Sequence, residues 1–432
     1  MNKIFRLIPF AILVIICIFP SEVEAVKRTK LPNGLIILTK PERSNNIVSV
    51  VVTLKMGSLY ETDEKAGLST LMQNTILKGT KSRTSEQIAF ELESMGTRLS
   101  TSAEREYGTV SLMSTSESLY KSLEILHDLF VNATFPNDAV ELQKSLQTQN
   151  ILMRQDQPLY HAVDLMVEAY YGNHPFHKPR LGYVETISTF IRSDIEALYR
   201  SIYIPNNMVI TAVGNFEEER LIKDITARLG SIPQGDSPKK VTGEKPNLQS
   251  PVEKIEKREI SASWFALGWS SATLKSLDFY AMDVLDAITG GSMDSRLFVA
   301  IREKRGLAYQ VSSFVNARVE SGIYVAYIGT KPSTYEEAKR VLLDEVHLMA
   351  SEEPTPEEIK NAKSFLKGMN IMEQESNAGQ ASKYGRYEIL GIGYDFVDKY
   401  NKGIDKVTAA DIINAGKKHL MTPYALGGVL AK

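Results

Sequence analysis

Cysteine is nearly absent: the 432-residue chain has one, Cys17. It sits inside the single long apolar run, so the rest of the chain can form no disulfide, thiol nucleophile or thiolate metal site. Histidine is scarce as well, with six residues. Charge of one sign is missing too. Fifty Lys and Arg against 52 Asp and Glu leave a net charge of −2, so no basic excess drives nucleic-acid binding. There is no Gly-x-Ser-x-Gly nucleophile elbow and no Gly-Lys-Ser/Thr phosphate loop. With 43% hydrophobic and 24% charged residues, the composition excludes a disordered, collagen-like or multi-span membrane chain.

What is present begins with an export signal. Lys3 and Arg6 precede the apolar stretch Leu7–Phe19, and Val23-Glu24-Ala25 offers small residues for cleavage. That is the pattern of a secretory signal peptide over 1–25, its core shorter than the roughly 20 residues that span a bilayer. The expectation is an exported, periplasmic protein with no permanent membrane span, an uncleaved anchor being the alternative.

The remaining length calls for two domains. Pro233, Pro238, Pro246 and Pro251 punctuate a polar linker over 233–254, separating 26–232 from 255–432. The halves are alike. Ile187-x-x-Phe190-x-x-x-Asp194-Ile195 is followed by a helix pattern and Pro205; Ile404-x-x-Val407-x-x-x-Asp411-Ile412 is followed by another and Pro423. The apolar stripe Leu119, Leu123, Leu126, Phe130 has a counterpart in Ala338, Leu342, Val346, Met349. Matching order and spacing imply a duplicated unit.

Each unit opens with strands, at Leu31-Pro-Asn-Gly-Leu35 and Ile47–Leu54 in the first and at Ile260–Trp269 in the second. Helices follow, with start signals at Thr84-x-x-Gln87 and Thr355-Pro-Glu-Glu358. The fold class expected is α+β: two homologous domains, each a mostly antiparallel sheet with helices packed on one face.

Gly57-Ser58-x-x-Glu61, Gly67-Leu68 and Leu77-Lys-Gly-Thr80 resemble the surroundings of the zinc motif in the insulinase/pitrilysin/processing-peptidase family. Members carry His-x-x-Glu-His on a helix, two imidazoles for zinc and a carboxylate for the water, with a second glutamate some 76 residues on. Here those positions read Thr70, Gln73, Asn74 and Asn150. All four are neutral and poor zinc ligands, so no metal is expected on this chain. His174-x-x-His177 lies in a turn-rich segment and reads as structural. The second half keeps its family signature. Arg302 and Tyr309, seven residues apart, match the pair that in the family hydrogen-bonds the substrate main chain and stabilises charge on the scissile carbonyl.

Some bacterial members are heterodimers in which one subunit carries zinc and the other has lost the motif but keeps the arginine and tyrosine. The two close like a clam around a peptide chamber. The resemblance implies a zinc-free subunit, inactive alone, that forms half of such a clamshell. It would bind peptide and lend Arg302 and Tyr309 to the site of a zinc-carrying partner. A non-catalytic peptide-binding or scaffold protein of the same fold is the alternative. The stretch Gly96–Tyr107 is, by the same resemblance, either an edge strand that pairs with substrate or an ordinary strand.

Overall fold

The computed structural model describes residues 25–432; the expected leader, including Cys17, lies outside the described residues apart from Ala25. Two sheets form the frame. The first contains β1 (Lys27–Lys30), β2 (Ile36–Pro41), β3 (Ile47–Leu54), β4 (Arg98–Ala103), β5 (Gly108–Thr115) and β6 (Met208–Gly214). The second contains β7 (Val252–Arg258), β8 (Ser263–Ser271), β9 (Gln310–Asn316), β10 (Gly322–Thr330) and β11 (Ala425–Ala431). Their orders are β1-β2-β6-β3-β5-β4 and β7-β11-β8-β10-β9. Set β1 aside and the two orders correspond strand for strand. Even the one parallel pair recurs, β2 with β6 and β7 with β11, in sheets otherwise antiparallel. The class is α+β, built twice.

Each sheet's own helices cover one face. Alternation along β3 sends Val48, Val50, Val52 and Leu54 into a core shared with Leu71, Leu123, Leu126, Ile195 and Leu221. In the second sheet Phe265, Leu267, Trp269, Tyr324 and Ala326 do the same against Met282, Leu285, Leu342 and Ile412. The start signals read from the sequence operate as expected. Gln87 N donates to Thr84 Oγ1 (3.3 Å) while Thr84 N donates to Gln87 Oε1 (2.8 Å), and Thr355 and Glu358 exchange the same pair of bonds.

The opposite faces are covered reciprocally. Helix Asn377–Ile389, from the second half of the sequence, lies across the first sheet, packing Ala381, Tyr384 and Ile389 on Leu38, Val51, Val209 and Val213. Helix Pro158–Tyr171, from the first half, lies across the second sheet, packing Met166, Tyr170 and Tyr171 on Ala266, Ile323, Val325 and Ala425. Glycine makes the close approach possible on both sides. A Cβ at Gly385 would stand 2.6 Å from Thr53 Oγ1, and one at Gly427 only 2.1 Å from the Ala162 carbonyl oxygen. The chain between helix Glu218–Leu229 and β7 has no regular structure, but it is tethered: Val241 N donates to Leu59 O at 2.8 Å.

The seating of the exchanged helix generates a prediction. Gly427→Ala drives a methyl group into helix backbone that cannot rotate away, and should cost about 3 kcal/mol in urea denaturation. Gly428→Ala, whose added carbon meets nothing closer than 3.5 Å, should change stability by less than about 1 kcal/mol.

Candidate active site

Three of the four positions equivalent to zinc-site residues lie on the short helix Leu68–Thr75. It begins at Gly67, whose φ of 92° is left-handed and whose Cβ would stand 2.4 Å from the Leu181 carbonyl oxygen, so only glycine fits. Glu61 supplies the cap from outside the helix. Its buried carboxylate accepts from Ser69 N at 2.6 Å and Gly67 N at 3.0 Å. Burial pushes the Glu61 carboxyl up, against the lowering effect of these bonds and of the Lys178 charge.

Along this helix the positions singled out by the resemblance serve packing. Thr70 is buried and its hydroxyl donates to Arg180 O at 2.7 Å. Gln73 is fully enclosed, and both polar atoms of its side chain are hydrogen-bonded. Its Nε2 donates to Ser102 O (3.1 Å) and Thr109 O (3.2 Å), while its Oε1 accepts from the Tyr203 hydroxyl at 2.5 Å. Burial holds the Tyr203 hydroxyl well above its ordinary range, so it stays a donor. An amide suits this pocket because two carbonyl oxygens face it; a carboxylate would meet them with lone pairs.

Asn74 is half-buried, and Asn150 is exposed on helix Asn137–Asp156, which packs against Leu68–Thr75. No side-chain hydrogen bond ties Asn150 to the short helix among the described residues. The tie comes one turn earlier, from a residue that the sequence reading missed. Buried Gln147 donates to Gly67 O (3.0 Å) and Leu181 O (2.8 Å). Zinc does not fit these residues: the set is neutral, and its buried members are committed to protein oxygens. Among the described residues no three His, Cys, Asp or Glu side chains lie close enough to share a metal. His174 and His177 shape their turn, His174 Nδ1 accepting from Phe176 N at 3.2 Å.

Arg302 and Tyr309 present the opposite picture. Arg302 projects from the π-helical turn Phe298–Glu303, its guanidinium 5.1 Å from the centre of the Phe298 ring. The turn is closed by Leu307 N donating to Ile301 O at 2.9 Å around Gly306, whose φ is 62°. Tyr309 enters the sheet with N donating to Gly329 O at 2.8 Å and leaves its side chain 53% exposed. Neither polar head has a hydrogen-bond or ion-pair partner among the described residues. Two rigidly mounted donors therefore face solvent, and no hydrogen bond links them to Thr70, Gln73, Asn74 or Asn150. Beside Gln73, whose backbone oxygen accepts from the Thr101 hydroxyl at 2.7 Å, β4 forms the free edge of the first sheet.

Two further polar features escaped the sequence reading. The β4–β5 and β9–β10 turns meet, Glu106 accepting from Val319 N at 3.1 Å. Arg318 reaches over Phe176 and Arg386 over Tyr107, each cation resting on a ring from the other half. On helix Phe279–Thr289, which occupies in the second half the place of Leu68–Thr75, burial pushes the Asp283 and Asp286 carboxyls up to about 7. The hydrogen bonds from Tyr400 and Ser313 only partly oppose it.

The repeated sheet-and-helix units define a two-domain peptidase-type chain, and the four positions that the resemblance assigns to a metal site carry neutral side chains. The chain belongs to the insulinase family, peptidase family M16. Residues 36–183 match the insulinase (peptidase family M16) domain and residues 189–366 the peptidase M16 inactive domain. An uncharacterized zinc protease of Rickettsia bellii is 30% identical over 400 residues, covering 90% of this chain and 94% of its own length. The uncharacterized zinc protease YmxG of Bacillus subtilis is 28% identical over 403 residues, covering 93% and 97%. In fold the chain is similar to a peptidase M16 inactive domain from Pseudomonas fluorescens, with a TM-score of 0.88 at 20% identity over 94% of this chain and 98% of the other. A protease from Helicobacter pylori superposes with a TM-score of 0.86 at 19% identity, over 94% and 100%.

Two measurements check this account of the polar groups. Gln73→Glu should cost about 3 kcal/mol at neutral pH, since it removes both amide donors and buries a carboxylate against two carbonyls. That carboxyl's pKa is raised in the folded state, so the loss should shrink as pH falls towards 4. The Asp283 and Asp286 carboxyls follow the same sign. Their stabilising contribution is full below about 4 and is lost as pH rises towards about 7. The stability of Asp283→Asn/Asp286→Asn relative to the unaltered protein should therefore improve between pH 5 and 8 in parallel denaturation series.

Proposed function

We infer that this chain is the zinc-free subunit of a two-subunit zinc peptidase, exported to the periplasm by its leader. It closes with a zinc-carrying family member into a clamshell around unfolded peptide. The observation that carries the reading is the contrast between the two halves. The position that would hold metal is neutral and hydrogen-bonded shut, while Arg302 and Tyr309 stand exposed with unused donors on a fixed turn. Donors held in this way serve charge that develops elsewhere, because they need no reorganisation when it forms.

In this reading the partner supplies the metal and the base. The guanidinium of Arg302 and the hydroxyl of Tyr309 hydrogen-bond the substrate main chain and the carbonyl oxygen as it gains negative charge. The free edge of β4 supports peptide binding, since an added strand needs only main-chain groups. It also supports the second reading, a peptide-binding or scaffold protein that takes no part in hydrolysis.

The test mixes the purified chain with a zinc-motif relative from the same cell and follows cleavage of a quenched fluorescent peptide. Neither the isolated chain nor its Arg302→Ala form should cleave. In the mixture Arg302→Ala should lower kcat/KM by about 10²-fold and Tyr309→Phe by about tenfold, with the complex still forming on gel filtration. Unchanged turnover with both variants would favour the scaffold reading.

A further inference from the structure

A cleft of about 940 Å³ lies among residues 275–281 and the helices Phe396–Lys406 and Ala409–His419, and neither Arg302 nor Tyr309 lines it. Its walls carry five lysines: Lys275, Lys399, Lys402, Lys406 and Lys418. Lys399, Lys402 and Lys406 follow one another at three- and four-residue spacing, which places them on one side of a single helix. Between them the surface is apolar, formed by Tyr280, Ala415 and Val407, and at the rim Leu277 is completely exposed.

The acidic residues in the cleft do not balance these charges. Asp278 Oδ2 accepts from Lys418 Nζ and from His419 Nε2, each at 2.7 Å. Asp411 stays charged as the helix cap, accepting from Thr408 N at 2.9 Å and Thr408 Oγ1 at 2.7 Å, so the lining sets two carboxylates against five ammonium groups. Lys399 pairs with Asp395 on its own helix. Lys275, Lys402 and Lys406 have no ion-pair partner among the described residues. A molecule with a net charge of only −2 thus concentrates positive charge in one concave place.

The duplicated unit provides an internal control. At the 217-residue offset that aligns Ile187 with Ile404 and Asp194 with Asp411, the lysines at 399, 402, 406 and 418 correspond to Gly182, Glu185, Thr189 and Ser201. The same architecture is built in the first half without a single one of these cations. The fold does not demand them, and their mutual repulsion costs the free protein stability that an anionic occupant would return.

We propose that this cleft is a docking site for an acidic segment of a partner protein, with carboxylates meeting Lys275, Lys402 and Lys406 and an apolar side chain seated against Leu277 and Tyr280. Charge complementarity selects the sign of the occupant, and the exposed leucine beside the half-buried tyrosine selects a polypeptide over a simple polyanion.

The experiment is fluorescence anisotropy with a labelled peptide of sequence (Glu-Glu-Leu-Glu)₃, using the full mature chain at low and high salt. The peptide should bind, and Lys402→Glu/Lys406→Glu should weaken binding by at least about tenfold, with Lys402→Gln/Lys406→Gln in between. Added salt should weaken binding to the unaltered chain far more than to the charge-reversed one. Thermal melts of both variants should show no loss of stability relative to the unaltered protein, because the substituted side chains are exposed and their replacement relieves repulsion. Absence of peptide binding would overturn the proposal, as would equal binding by the charge-reversed variant. Tighter binding of inorganic polyphosphate or of phosphatidylglycerol vesicles would overturn it too, assigning the cleft to a polyanion or a lipid surface.

Discussion

Each sheet of this molecule has two apolar faces, and its own helices can cover only one. The second face is covered by a single helix lent from the opposite half, Asn377–Ile389 on the first sheet and Pro158–Tyr171 on the second. Burial of Leu38, Val51, Val209 and Val213 on one side, and of Ala266, Ile323, Val325 and Ala425 on the other, therefore depends on both halves being present and aligned. The remaining contacts between halves follow from this exchange. With the helices crossed, the two hairpin turns are brought tip to tip, and Glu106, Arg318 and Arg386 find partners across the junction.

Within that frame the filled metal position has a physical explanation. Buried side chains at these positions have to satisfy the polar groups around them. Gln73 provides partners for Ser102, Thr109 and Tyr203; Thr70 provides one for Arg180; Gln147 secures Gly67 and Leu181. Thr70 and Gln73 are thus held in place by hydrogen bonds, and none of the four positions carries a carboxylate that could activate water. In the second half no hydrogen bond or ion pair among the described residues engages the Arg302 guanidinium or the Tyr309 hydroxyl, which leaves both donors free for the role proposed above.

Much of this was readable from residues alone. The duplication showed in the repeated Ile-x-x-apolar-x-x-x-Asp-Ile pattern, and the caps at Thr84 and Thr355 showed because a capping box is a local device written in four residues. The neutral metal position was visible for the same reason, since four side chains at fixed spacing carry the chemistry. The exchange was not visible. The stripe on Pro158–Tyr171 announces an amphipathic helix but not which sheet receives it, because period alone fixes a face and not a destination. Gln147 was missed for a related reason: attention fell on Asn150, where a ligand would stand, while the helix turn that bonds to Gly67 lies three residues earlier. Nothing local to Asp283 and Asp286 marks them as hydrogen-bonded, because their partners Tyr400 and Ser313 come from later elements of the chain.

The reciprocal cover also sets an order on the assembly of the molecule. During synthesis the strands of the first sheet are all available once Gly214 has emerged, yet the helix that shields their second face ends at Ile389. For the whole of that interval an apolar sheet surface stands open to water, to chaperones or to another copy of the nascent chain. The second sheet inherits the mirror condition, its covering helix made early and held waiting until β11, which ends at Ala431, supplies the strand on which it rests. Contacts of such long sequence separation make folding slow and global, and they favour the two halves completing together at the end of the chain.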